Sequence, residues 1–246
     1  MLNIVMEDDN KIIVYKKAGQ LSQSGKSFDL DLVSEVMTYR RKKGEPPYAA
    51  IINRLDRPVA GLVLIAKNQK EAARLSALMQ KETLCKQYDA ILCGKPEQNQ
   101  ETLVDYLLKD GKENVSAVVS QDTQGAKRAE LRYEVVKRLS DKVCLKDAET
   151  ITKETKVEGD LCDTAENSGD LTMVHIHLIT GRHHQIRVQF SSRNLPLLGD
   201  VKYGGIPGTD TAQRYVGRNQ IALCASSLTV DGKTYTVKPE WLKLIE

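Results

Sequence analysis

The sequence predicts an α+β fold built on a mainly antiparallel central sheet with helices flanking it. Three observations carry that expectation. Segments rich in β-branched residues outnumber segments with helical spacing. Many connections between them are short. Asp231-Gly232 lies between two strand-like runs as a hairpin turn pair. In chain order, residues 4–15 read as two short strands around the polar turn Glu7-Asp8-Asp9-Asn10, with Ile12, Ile13 and Val14 suited to a buried strand. Phe28, Leu32, Val33, Val36 and Met37 fall at helical spacing and predict a helix over 28–39. The basic run Arg40-Arg41-Lys42-Lys43 follows, where cations favour the helix macrodipole; it reads either as a solvated helix end or as a phosphate contact. Pro46-Pro47 marks a loop, 62–66 a buried strand, and 69–81 a helix with Ala72, Ala73, Leu75, Leu78 and Met79 inward. Further strands are predicted at 87–94, 131–138 and 173–180. A helix is expected to begin within 185–191, and 221–230 with 233–238 to form the closing hairpin.

Composition narrows the function classes. Of 246 residues, 41% are hydrophobic, enough for a sizeable core in one domain spanning 1–246. The longest apolar run, 61–66, is far short of the ~20 residues that cross a bilayer. The first ten residues are acidic and lack a basic region followed by an apolar stretch, so no secretory leader and a cytoplasmic location are expected. The five cysteines (Cys85, Cys93, Cys144, Cys162 and Cys224) form no CxxC pair and predict neither a disulfide framework nor a zinc knuckle. Gly199, Gly204 and Gly205 lack the spacing of a nucleotide-binding loop.

Charge is unevenly spread. The chain has 36 basic and 33 acidic residues, but eight of the acids and only two lysines lie between 147 and 170. The remainder carries 34 basic against 25 acidic residues, a net +9, which suits a polyanionic partner as well as it suits an ordinary basic surface. The stretch at about 146–169 is poor in large apolar residues and reads as a flexible acidic insertion or a long hairpin tip.

The segment richest in chemistry is Asn53-Arg54-Leu55-Asp56-Arg57-Pro58, leading into the buried run Leu62-Val63-Leu64-Ile65-Ala66. A carboxylate flanked by cations, on a loop held by a rigid strand, suits a nucleophile or a base. The plainer reading is an aspartate bracing the turn before Pro58. His183 and His184 invite a metal reading, but adjacent histidines on one strand would face apart and no glutamate stands at a zincin spacing, so no metal is expected.

The segment 53–67 resembles the H-R-L-D signature of RluA-type RNA pseudouridine synthases, and other motifs agree in the right order. Glu7-Asp8-Asp9 before Ile12-Ile13-Val14, then Lys16-Lys17-Ala18-Gly19, resembles the opening strand and its K-P-A-G turn. Lys86-Gln87-Tyr88-Asp89-Ala90 resembles K-x-Y-x-A. Gly181-Arg182-His183-His184-Gln185-Ile186-Arg187 resembles G-R-T-H-Q-I-R. Leu195-Pro196-Leu197-Leu198-Gly199-Asp200 with Tyr203-Gly204 resembles H-P-L-L-G-D-x-x-Y-G, and Ala222-Leu223-Cys224-Ala225 the late L-H-A strand.

The resemblance implies a bent, mainly antiparallel catalytic sheet and an enzyme that isomerises a specific uridine of ribosomal or transfer RNA. No metal, nucleotide or redox cofactor is implied. By position, Asp56 is the essential carboxylate, Tyr88 packs on the flipped base and assists at C5, and Arg187 pairs with Asp56. Arg54, Leu55, Arg57, Arg182, His184 and Leu223 bind the substrate. A monomer without an S4-type N-terminal domain is expected, since the pattern begins almost at Met1. Asn53, the Val59-Ala60 pair, Lys17, Gln20 and Cys224 depart from the family pattern. The competing readings are a catalytically silent RNA-binding relative and an unrelated carboxylate hydrolase. The second would need a paired acid or base, and none stands out.

Overall fold

The computed structural model describes residues 2–24, 31–81, 83–139, 170–204, 216–217 and 220–244. Among them, eleven strands form one sheet: β1 (Asn3–Glu7), β2 (Lys11–Lys16), β3 (Ala50–Ile51), β4 (Ala60–Ala66), β5 (Cys85–Cys93), β6 (Gln100–Asp110), β7 (Val115–Val119), β8 (Lys127–Leu139), β9 (Leu171–Leu178), β10 (Leu223–Val230) and β11 (Lys233–Thr236). The main path runs β1-β2-β4-β10-β5-β9-β8-β6-β7, with β3 on β4 and β11 on β10. Every pairing is antiparallel except that of β4 with β10. The α+β expectation holds, with α1 (Leu32–Lys42), α2 (Gln69–Gln80) and α3 (Gln185–Ser191) packed on the sheet. The expected acidic insertion at 146–169 lies outside the described residues.

Period-two alternation sends side chains to two packed layers. Ile12 and Val14 of β2, Val63 and Ile65 of β4, Tyr88 and Ala90 of β5, and Val174 and Ile176 of β9 share one cluster with Leu32 and Val36 of α1 and Ile186 and Phe190 of α3. The intervening residues Ile13, Leu62 and Leu64 face the other way and pack with Leu75 of α2. The Asp231-Gly232 turn forms as predicted, with φ of 52° and 72° at its two central residues. Positive φ at both is what the type I′ hairpin requires.

Two local expectations change. The first helix starts at Leu32, not near residue 28, because the Asp31 carboxylate accepts from Ser34 N at 2.7 Å and caps it. The basic run is not uniform: Arg40 turns inward, 4% exposed. Its guanidinium donates to Glu45 and to the carbonyls of Tyr48 and Lys67, so it braces the fold and is unavailable to phosphate. Lys43 pairs with Glu7 and Glu45, while Arg41 and Lys42 are exposed.

The parallel contact between β4 and β10 positions the site. It sets Cys224 beside Ala60 and Ala225 beside Gly61. Gly61 has φ of +130°, and a Cβ there would stand 2.4 Å from Ala225 N. Gly61→Ala is therefore expected to lose about 3–5 kcal/mol, through backbone strain and overpacking together. A fall in the urea midpoint at unchanged m-value would register it; an unchanged midpoint would show that β10 yields freely.

Candidate active site

The loop that carries Asp56 is pinned from several sides. The Ser22 hydroxyl donates to Leu55 O at 2.6 Å and accepts from Leu55 N at 3.1 Å. Buried Asn53 donates from Nδ2 to Leu62 O and accepts at Oδ1 from Leu64 N, so this departure from the family pattern latches the loop to β4. Val59 N closes a turn onto Asp56 O at 3.0 Å. The Lys16 ammonium, fully buried, donates to the carbonyls of Lys17, Gln20 and Arg57 at 3.0, 2.7 and 3.3 Å. Burial pulls the Lys16 pKa down to about 8, against the opposing pull of the Asp56 carboxylate.

Asp56 meets its cation across the fold. Arg187 Nη1 donates to Asp56 Oδ2 at 2.9 Å, while Nε and Nη2 grip Asp200 at 2.7 and 2.8 Å. Arg187 is 5% exposed and Asp200 1%. The bidentate grip on Asp200 fixes the guanidinium plane, which leaves one N–H aimed at Asp56. The same guanidinium lies over the Tyr203 ring, 5.0 Å from its centroid. Asp56 keeps 29% of its side-chain exposure, and its Oδ1 has no hydrogen-bond partner among the described residues.

The histidines lie in the turn before α3, not on a strand facing apart. Their rings stack at 3.7 Å and 25°. His184 Nε2 stands 3.5 Å from Asp56 Oδ2, and Nδ1 2.8 Å from the Tyr203 hydroxyl. Burial presses the His184 pKa down to about 4, with Asp56 opposing and Arg187, His183 and Lys202 adding to the fall. At neutral pH its contact with Asp56 is thus that of a neutral imidazole rather than an ion pair. Burial also raises the Tyr88 phenol pKa, and the nearby Asp56 carboxylate adds to the rise, so the buried ring is held as the neutral phenol.

The remaining residues singled out from the sequence are spread around this centre. Leu55 and Leu223 are buried in the Tyr88 cluster. Leu223 also borders a small cavity with Tyr15, Ala60, Cys224 and Trp241, whose lining does not include Asp56. Arg54 and Arg57 are exposed, and Arg57 Nε donates to Gly19 O; the cations flanking Asp56 in sequence are not the one that grips it. Arg182 is exposed, with Nε on Arg128 O. Cys224 is fully buried on the opposite face from Leu223, and burial pushes its thiol pKa up to about 12.

A family model described as RNA pseudouridylate synthase matches residues 10–192. The chain belongs to this family. Among curated pseudouridine synthases, it is 29% identical over 229 residues to the ribosomal large subunit pseudouridine synthase D of Nitrosomonas europaea, covering 92% of this chain and 57% of that one. It is 27% identical over 201 residues to the ribosomal large subunit pseudouridine synthase C of Rickettsia prowazekii, covering 82% and 56%. The chain thus spans a little over half the length of these relatives. Among solved pseudouridylate synthase structures, human RNA pseudouridylate synthase domain containing 4 superposes with a TM-score of 0.71 at 17% identity, over 98% of this chain and 90% of that one. Within this member of the family, Asp200, Tyr203 and Ser116 are not among the site residues that the sequence singles out. Asp200 and Tyr203 do lie in the motif ending at Gly204; Ser116, on an edge strand far away in the chain, carries no such signal.

Proposed function

We propose that this chain is an RNA pseudouridine synthase with Asp56 as its reacting carboxylate. The observation that carries the reading is the asymmetry of that carboxylate: Oδ2 is held by Arg187, while Oδ1 has no hydrogen-bond partner among the described residues and can meet a substrate. In this reading a uridine is flipped out of the RNA stack. Asp56 attacks or deprotonates the nucleoside, the N1–C1′ bond breaks, and the freed uracil turns and rejoins C1′ through C5. The C5 proton then leaves to solvent and the freed N1 takes up a proton in its place, so the product is an isomer of the starting uridine. Tyr88 supplies a neutral aromatic face for the base, a contact type that contributes about 1–3 kcal/mol. Leu55 and Leu223 pack beneath it. Because Tyr88 is held as the phenol, it assists at C5 through position rather than as a free phenolate.

Arg54, Arg57, Arg182 and His184 are the substrate-binding candidates nearest this chemistry, with Arg41, Lys42 and Lys202 as further phosphate contacts. Ribosomal RNA is the first substrate to try, since the relatives are named for the large ribosomal subunit; transfer RNA is the second. Among the described residues no helix is long and apolar enough to cross a membrane, and the reading places the enzyme in the cytoplasm as a monomer without a metal or other cofactor. Incubation with total RNA followed by mapping of new pseudouridines tests the activity. RNA binding that leaves every uridine unchanged would make the chain a silent relative.

The electrostatic side of the reading has its own test. Six basic contacts predict an affinity that falls about 300- to 2,000-fold between 50 and 200 mM salt, as displaced counterions are released. Filter binding across that range measures it. A flat salt dependence would rule out a phosphate-based interface.

A further inference from the structure

We propose that His184 is a positioning residue for Asp56, its Nε2–H directed at Asp56 Oδ2 by the Tyr203 hydroxyl, which the Ser116 amide of β7 fixes in turn. The inference rests on the functional reading above and deepens it. Ser116 N donates to the Tyr203 hydroxyl oxygen at 2.8 Å. That hydroxyl then has one proton to give, and His184 Nδ1 stands 2.8 Å away to accept it. An imidazole that accepts at Nδ1 carries its own proton on Nε2. Nε2 faces Asp56 Oδ2 at 3.5 Å. An ionised carboxylate is acceptor-only, so the opposite tautomer would set a lone pair against it.

Each member of the chain is held independently. The Tyr203 ring lies under the Arg187 guanidinium, and the Tyr203 carbonyl accepts from Ser191 Oγ at 2.7 Å. His183 stacks on His184 and is itself tied by Ser116 Oγ at 2.9 Å and Asn114 Oδ1 at 3.2 Å. His184 has φ of 53° and, at the N-cap of α3, makes no side-chain capping bond. A left-handed non-glycine residue costs of order 1–3 kcal/mol and persists only where its surroundings over-determine it. Here the backbone gives up a cap and places the imidazole against the carboxylate. Among the described residues, the titratable and charged groups around the ring are Asp56, Arg187, His183, Lys202 and Tyr203, and burial keeps the ring neutral through the physiological range. Arg187 and His184 thus converge on the same oxygen, leaving Oδ1 for the sugar or the base. A contact of 3.5 Å in the free enzyme leaves room to shorten when substrate closes the site.

The chain has only four histidines, so selective ¹⁵N-histidine labelling resolves each of them. His184 is expected as a single Nε2–H tautomer from pH 5 to 8. Tyr203→Phe is expected to mix the tautomers and to lower kcat about 10- to 100-fold with KM for RNA within about twofold. His184→Gln, which retains an N–H near the Nε2 position, should keep about tenfold more activity than His184→Leu. An Nδ1–H tautomer in the wild type would overturn the proposal. So would a Tyr203→Phe loss carried wholly in KM, or equal activity of folded His184→Gln and His184→Leu. The spectra need no turnover. A wild type that forms no pseudouridine overturns the functional reading, whereas the wrong tautomer overturns this one.

Discussion

Asp56→Asn is expected to abolish pseudouridine formation, by about 10³- to 10⁴-fold or more, in a protein that still folds and still binds RNA. The amide is nearly isosteric with the carboxylate, so packing survives. It is also neutral and a poor nucleophile or base, so the chemical step does not. The structure explains why the fold should tolerate this change. Asp56 is partly exposed, and Arg187 keeps its bidentate bond to Asp200, so no buried cation loses its only partner. The stability change should stay within about 1 kcal/mol, the scale of one hydrogen bond. Tritium release from C5-labelled uridine in RNA, run beside circular dichroism and filter binding, separates the effects. Tritium release at the wild-type rate from folded Asp56→Asn would sink the mechanism.

Arg187→Met is expected to lose both activity and stability, and the two losses have different origins. Activity falls because Asp56 Oδ2 loses its fixed donor. Stability falls because Asp200, 1% exposed, is left buried with, among the described residues, only the Lys202 amide at 3.2 Å. Breaking a buried pair on one side costs about 3–5 kcal/mol. That corresponds to a drop in Tm of roughly 6–20 °C for a chain of this size. Adding Asp200→Leu removes the stranded charge and should recover about 2 kcal/mol or more, since apolar replacement of a whole buried pair is often neutral or better. The double variant should remain inactive. Should stability fail to return, the loss comes from repacking around Tyr203 and not from the stranded carboxylate. Should activity return with it, Arg187 is not what holds Asp56.

How far the sequence could be read varied with the kind of residue. Residues whose environment is set by near neighbours were legible. The Asp231-Gly232 turn, the alternation in β9 and the apolar stripe of α2 all report local geometry. The hairpin β6–β7 was not legible. Only Leu103 and Leu107 are buried in β6, and a spacing of four fits one face of a helix as well as one face of a strand, while both faces of β6 are partly wet. Arg40 looked like its exposed neighbours Arg41 and Lys42, because a run of cations does not say which one turns inward. That depended on the carbonyls of Tyr48 and Lys67, which converge only in the folded chain.

The sequence by itself determined the fold class, the order of most elements and the family, because periodicity, turn residues and ordered motifs are local or linear properties. The resemblance named Arg187 as the partner of Asp56, and the tertiary structure shows how that contact is made. Arg54 and Arg57 flank it in the chain, yet Arg187, 131 positions away, holds it. The structure also decided that Ser116 on an edge strand orients Tyr203 and through it His184. Hydrogen bonds act over about 3 Å of space, whatever the separation along the chain. The partners of a catalytic group are therefore chosen by which strand ends and turns the sheet brings together. Here that choice rests on the parallel join of β4 to β10 and on the turn before α3.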